Sequence, residues 1–343
     1  MKFLRFLLFP FSIIYGIVTS VRNYLFDTGF FTETSFNIPV IAVGNLSVGG
    51  TGKTPQIEYL IRLLKETHQL AVLSRGYKRS TKEFVLLKNA STALEVGDEP
   101  LQYFQKFKNI DVAVDANRVH GISKLLENKD TDLILLDDAF QHRKVKASFY
   151  ILLTKYDDLF TDDLLLPTGN LREPNSGAKR ADVILITKTP KNSPISTQKK
   201  IEKKLQQFKK PVFFTSISYA DTIKGKHPIL TQNLKEYEVL LITGIANPTP
   251  LLDHLESLQV SFKHLQYSDH HHFSEAEIEK IHADFNKVSS PKRLILTTEK
   301  DYTRLATKIE MLYYLPIETT FLGNQKEDFD SLITSHIRTF SGE

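Results

Sequence analysis

The chain contains no cysteine, which excludes disulfides, cysteine-ligated zinc and a thiol nucleophile. It also lacks a long hydrophobic run. The apolar stretch Phe6 to Val21 carries no charge and is bracketed by Lys2 and Arg5 on one side and Arg22 on the other. As a helix it spans about 24 Å, short of the roughly 30 Å hydrocarbon core of a bilayer, and Pro10 and Gly16 weaken it further. There is no strong charge of one sign: 44 Lys and Arg against 40 Asp and Glu leave a net charge of +4, too little for a nucleic-acid binder but suited to a surface that meets anionic lipid. Low-complexity tracts and internal repeats are absent too. With 343 residues, 41% of them hydrophobic and 24% charged, the chain is long enough for two α/β domains.

The informative stretch is Asn37 to Leu64. Val40-Ile41-Ala42-Val43 forms a short apolar run ending at Gly44. The small-residue loop Ser47-Val48-Gly49-Gly50-Thr51-Gly52-Lys53-Thr54 follows, and then Ile57, Leu60, Ile61 and Leu64 recur at helical spacing. Strand, glycine loop and helix in this order make a P-loop, in which backbone N–H groups curl around phosphate oxygens at a helix N-terminus. Lys53 is placed to reach the β- and γ-phosphates of ATP, and the Thr54 hydroxyl to sit on Mg2+. Ser47 stands where the pattern usually has its first glycine, so Gly49 and Gly50 are expected to supply the turn. The bland alternative is a glycine-rich turn with no nucleotide.

Before the P-loop, residues 6–21 read as a helix lying on the inner face of a membrane. A cleaved signal peptide and a helix packed on the core are the competitors. After it, Leu70 to Leu73 is a strand ending in Ser74-Arg75-Gly76-Tyr77-Lys78-Arg79, and Arg75 is a candidate phosphate contact or a solvated basic turn. Gly97-Asp98-Glu99-Pro100 opens a helix, where adjacent carboxylates read locally as caps. Asp132 to Asp138 runs four apolar residues into two carboxylates, the Walker B pattern that carries an acid to the Mg2+ shell. Thr187-Lys188-Thr189-Pro190 resembles a guanine-reading element, but Pro190 replaces its essential Asp, which disfavours GTP. The pattern loosens from Ser218 to Tyr237. A second α/β unit follows, with Asp269-His270-His271-His272 at a strand end and a capping box at Ser274 and Glu277. Three consecutive His cannot all face one ion, which leaves a surface loop or one catalytic His beside the metal reading.

Six motifs in sequence are similar to the tetraacyldisaccharide 4'-kinase (lipid A 4'-kinase) family: Gly44 to Pro55, Ser74 to Tyr77, Gly97 to Pro100, Asp137 to His142, Leu166 to Glu173, and Asp269 to His271. The resemblance covers nearly the whole chain, and Ser47 is in keeping with the family's form of the loop. It implies transfer of the γ-phosphoryl group of ATP to the 4'-hydroxyl of a tetraacyldisaccharide 1-phosphate. It further implies Asp98 as base with His270 as its partner, Lys53 and Arg75 on the transferring phosphate, and Thr54, Glu99, Asp137 and Asp138 as the Mg2+ shell. The expected fold is a P-loop-type, mostly parallel sheet with helices on both faces, plus a smaller α/β domain. The divisions are a membrane-associating helix region at 1–33, a kinase domain at 34–220, a small β linker at 221–236 and a second domain at 237–343. The expected partners are the acylated disaccharide lipid and the cytoplasmic face of the inner membrane, with no nucleic acid and no obligate protein partner. The rival class is a membrane-associated P-loop ATPase or GTPase switch, which needs neither a lipid substrate nor a base at Asp98.

Overall fold

The computed structural model describes residues 5–77, 79–127 and 130–342; Lys2 and Lys78, named above for their charge, lie outside them. In chain order the elements are α1 (Phe9–Asp27), β1 (Val40–Asn45), α2 (Lys53–Leu64), β2 (Leu70–Ser74), β3 (Val85–Leu86), α3 (Ala93–Val96), α4 (Asp98–Lys106), β4 (Asp111–Val114), α5 (Arg118–Glu127), β5 (Leu133–Asp137), β6 (Phe149–Lys155), β7 (Val183–Thr187), α6 (Ile195–Leu205) and β8 (Val212–Tyr219). The short hairpin β9 (Thr222–Ile223) and β10 (Ile229–Leu230) follows. Then come β11 (Glu238–Thr243), α7 (Thr249–Ser257), β12 (Ser261–Gln266), α8 (Glu275–Asn286), β13 (Arg293–Thr298), α9 (Glu299–Leu305), β14 (Leu312–Leu315), β15 (Ile317–Phe321) and α10 (Gln325–Ser341).

A nine-stranded sheet in the order β15-β8-β7-β6-β1-β5-β2-β4-β3 forms the larger layer. Every pair in it is parallel except the two edges, β3 with β4 and β15 with β8. Strand β1 lies between β5 and β6, with Val43 beside Asp137, so the P-loop and the Walker B acids leave the same sheet edge together. Its side chains alternate as the pleat demands: Ile41 and Val43 face Ile57, Leu60 and Leu64 of α2, while Val40 and Ala42 face Ile122 and Leu125 of α5. Both faces are covered, which is why β1 is apolar throughout rather than alternating.

The second sheet, β12-β11-β13-β14, is wholly parallel. The expected second unit over 237–343 requires a correction at its end. Pro316 breaks the chain after β14, and β15 then crosses back to pair with β8. Phe329, Ile333 and Ile337 of α10 pack into the same core as α2. An amphipathic helix pattern announces a buried face but not which sheet it covers.

Helix α1 inverts the usual arrangement of a surface helix. Its small residues Ser12, Gly16 and Thr19 face the protein, where a Cβ on Gly16 would lie 2.7 Å from Leu165 Cδ1. Phe9, Phe11, Ile13, Ile14, Ile17, Val18, Val21 and Tyr24 are 42–65% exposed. Among the described residues no helix is long and apolar enough to cross a membrane.

Candidate active site

The P-loop turns through left-handed backbone at Gly49 (φ 105°) and Gly52 (φ 84°), so Gly52 rather than Gly50 shares the turn with Gly49, because that residue hands the chain into α2. Asn45 Nδ2 donates to Ser47 O at 2.7 Å, Thr187 Oγ1 donates to Thr51 O at 2.8 Å, and Val48 N donates to Asn170 O at 2.8 Å. The loop is therefore held from three sides before any ligand arrives. Lys53 opens α2 and places its ammonium 3.5 Å from Asp138 Oδ1.

The Walker B pair has two distinct environments. Asp137 is buried; Ser74 Oγ donates to its Oδ2 at 3.3 Å and the Tyr103 hydroxyl at 3.4 Å, while its Oδ1 is buried without a hydrogen-bond partner. Burial first, then the Asp138 and Glu99 charges, push the Asp137 carboxyl up to about 7. Asp138, in left-handed backbone at φ 49°, takes 3.2 Å hydrogen bonds from Arg172 Nη1 on both oxygens. Burial works to raise its pKa, but Lys53 and Arg172 overcome it and hold it below the usual carboxylate value. Among the described residues no three His, Asp or Glu side chains converge closely enough to cage a metal unaided. Mg2+ does not need such a cage, since it binds through one or two carboxylates with waters and substrate phosphates. The unpartnered Asp137 Oδ1, with Asp138 next in the chain and Thr54 beside Lys53 in the first turn of α2, fits that use. The side chain of Glu99 is partly exposed and 4.0 Å from Lys300 Nζ.

Asp98 is the first residue of α4, not its cap: Gly97 holds the N-cap position and no side chain caps the helix. Instead its carboxylate is buried between the two sheets. Oδ2 lies 2.8 Å from His270 Nδ1, Arg304 Nε donates to Oδ1 at 2.7 Å, and a second guanidinium nitrogen of Arg304 bonds Oδ2. Burial opposes ionisation, yet the His270 and Arg304 hydrogen bonds keep Asp98 well below the ordinary carboxylate range. The His run is resolved by geometry. His270 sits in left-handed backbone (φ 59°) and turns to Asp98; His271 Nε2 lies 2.9 Å from Glu277 and packs on Tyr267; His272 is exposed. Ser274 and Glu277 form the expected capping box.

Lys53, Thr54, Asp137 and Asp138 thus gather at one sheet edge, and Asp98 and His270 pair at the junction of the sheets. Arg75 stands exposed past β2, where its charge acts on Arg118 and His142. Sequence reading gave no site role to Arg304 or Arg118, and placed Arg172 only within the Leu166 to Glu173 motif. Arg304 lies on the second turn of the helix that follows β13, just beyond the strand end where ligand-facing polar residues collect, and that was its one signal. Arg118 is buried, with Nη2 3.4 Å from Asp137 O. Around His142 the charges of Arg118, Arg75, Lys144 and Arg22 combine with burial, the largest cause, to lower the imidazole to about 4.

Comparison with known proteins covers nearly the whole chain. The sequence model of the family described as Tetraacyldisaccharide-1-P 4'-kinase matches residues 4–338. A Flavobacterium johnsoniae tetraacyldisaccharide 4'-kinase is 52% identical, with 98% of each chain covered. One from Bacteroides thetaiotaomicron is 44% identical over 96% of this chain and 93% of its own. Among solved structures, LpxK from Aquifex aeolicus, crystallised in complex with ATP, superposes with a TM-score of 0.79 at 30% identity, covering 97% of this chain and 99% of that one. With the family's model matched over residues 4–338 and relatives 44–52% identical over nearly their full length, the chain belongs to the tetraacyldisaccharide 4'-kinase family.

Proposed function

We propose the following division of labour for this family's reaction, transfer of the ATP γ-phosphoryl group to the 4'-hydroxyl of tetraacyldisaccharide 1-phosphate. The observation that carries it is the buried Asp98–His270 contact across the two sheets. A sugar hydroxyl is a poor nucleophile until a base takes its proton, and Asp98 is an aimed carboxylate on the helix that also carries Tyr103 to Asp137. Lys53, with Arg75 in support, neutralises charge on the transferring phosphate, and the P-loop amides hold ATP. Thr54, Asp137 and Asp138 would hold Mg2+, with Glu99 at the rim of the set. When bound, the ion supplies charge neutralisation at the phosphate oxygens. The cationic surroundings of His142 favour the acceptor's own phosphate. Asp138→Ala is expected to raise the Mg2+ concentration needed for turnover or to abolish turnover, read by Mg2+ titration of the initial rate; an unchanged titration would demote Asp138 to a structural residue.

The lipid acceptor and helix α1 belong to one reading. Tyr15 Oη donates to Arg172 O at 2.8 Å and Ser12 Oγ to Thr168 Oγ1 at 2.7 Å, so the exposed apolar helix is tied to the loop that brings Arg172 to Asp138. Lying on the cytoplasmic face of the inner membrane, α1 sets the site beside its substrate. Ile14→Glu with Ile17→Glu is expected to release the protein from vesicles of mixed neutral and anionic lipid in a sedimentation assay. Sedimentation equal to that of the unaltered chain would remove α1 from the membrane contact.

A further inference from the structure

Helix α9 lies antiparallel along α4 with opposite charges matched down its length. Glu299 pairs with Lys106 at 2.7 Å, Lys300 lies 4.0 Å from Glu99, and Arg304 grips Asp98. Lys106 also reaches Glu58 of α2 at 2.6 Å, which joins this seam to the P-loop helix. The register of α9 is set from within its own sheet: Asp301, fully buried, accepts from Gly244 N at 2.8 Å and from Thr298 Oγ1 at 2.7 Å. The Arg304 side chain is only 5% exposed. Besides its two-pronged hold on Asp98, Nη1 donates to His271 O at 3.2 Å, and Nη2 lies 3.2 Å from His270 Nδ1. One turn earlier, Lys300 Nζ donates to His270 Nε2 at 2.9 Å and to Asp269 Oδ1 at 3.2 Å.

We infer that Arg304 and Lys300, four residues apart on α9, are the positioning residues of the Asp98–His270 pair, Arg304 fixing the plane of the carboxylate and Lys300 the orientation of the imidazole. A carboxylate held by one imidazole still turns about its own axis. A guanidinium fork along both oxygens removes that freedom and leaves Oδ1 a second acceptor site for the incoming hydroxyl. An ammonium can only donate, so His270 Nε2 accepts and Nδ1 carries the N–H that reaches Asp98. Each acts through the pair it holds, Arg304 through the carboxylate and Lys300 through the imidazole. The inference rests on Asp98 being the base.

The test compares phosphoryl transfer to the lipid acceptor, and ATP binding, for the wild type, Asp98→Ala, Arg304→Gln, Arg304→Lys and the double variant Asp98→Ala/Arg304→Gln. A misplacement of about 1 Å costs about 100-fold in rate, so Arg304→Gln is expected to lower kcat by that order while ATP affinity stays within about three-fold. Arg304→Lys, which keeps the charge but not the fork, recovers part of the loss and serves if the glutamine variant does not fold. In the Asp98→Ala background the Arg304 substitution is expected to cost nothing further, because no carboxylate remains to be aimed. Equal losses in both backgrounds, or wild-type kcat in Arg304→Lys and Arg304→Gln alike, would overturn the Arg304 assignment. Wild-type turnover in Asp98→Ala would instead overturn the base. For Lys300, nitrogen NMR of the His270 ring is expected to show Nδ1–H with an unprotonated, hydrogen-bonded Nε2 in the wild type and a changed Nε2 signal in Lys300→Gln, whose amide can accept as well as donate; an unchanged spectrum contradicts that half.

Discussion

Asp98→Ala is expected to lower phosphoryl transfer by about two to four orders of magnitude, the range for loss of a general base. ATP affinity should barely move, because the P-loop contacts and Lys53 are untouched. His270→Ala should fall as well, and the double substitution should lose far less than the product of the single losses, since the imidazole acts through the carboxylate it holds at 2.8 Å. Rate and ATP binding measured on the same four proteins check this. Independent, multiplying losses would mean that the two residues act separately, and retained turnover in Asp98→Ala would remove the base.

Lys53→Ala should have an effect of comparable size for a different reason. Its ammonium lies 3.5 Å from Asp138 at the mouth of the P-loop, where it meets charge developing on the transferring phosphate. Removing one such group costs about 3–4 kcal/mol of transition-state stabilisation, roughly 100- to 1,000-fold in kcat. The loss should persist at saturating ATP. A variant with near-wild-type kcat and only a raised KM would place Lys53 in uniform binding rather than in transition-state stabilisation.

What was legible in the sequence was local. The P-loop, the apolar strand ending in Asp137-Asp138 and the Ser274–Glu277 capping box are each written within about ten residues, and each is present where it was read. The Asp98 contact was not local: His270 is 172 residues away, and only family resemblance moved Asp98 from cap to base. Arg304, 206 residues from Asp98, had no motif around it, and its role appears only when α9 lies along α4. The return of β15 and α10 to the first sheet is of the same kind, because periodicity reports that a face is buried, not against what. Helix α1 shows the converse. Its apolar residues were visible in the sequence, but the small-residue stripe that turns them outward needed the contact between Gly16 and Leu165.

The most direct measurement incubates the protein with γ-labelled ATP, Mg2+ and tetraacyldisaccharide 1-phosphate in mixed micelles and follows the label. The assignment of the site predicts a lipid carrying a second phosphate, at the 4' position, formed by the wild type and reduced at least 100-fold in Asp98→Ala at unchanged ATP binding. Release of labelled inorganic phosphate at the same rate in both proteins, with no label on the lipid, would contradict it.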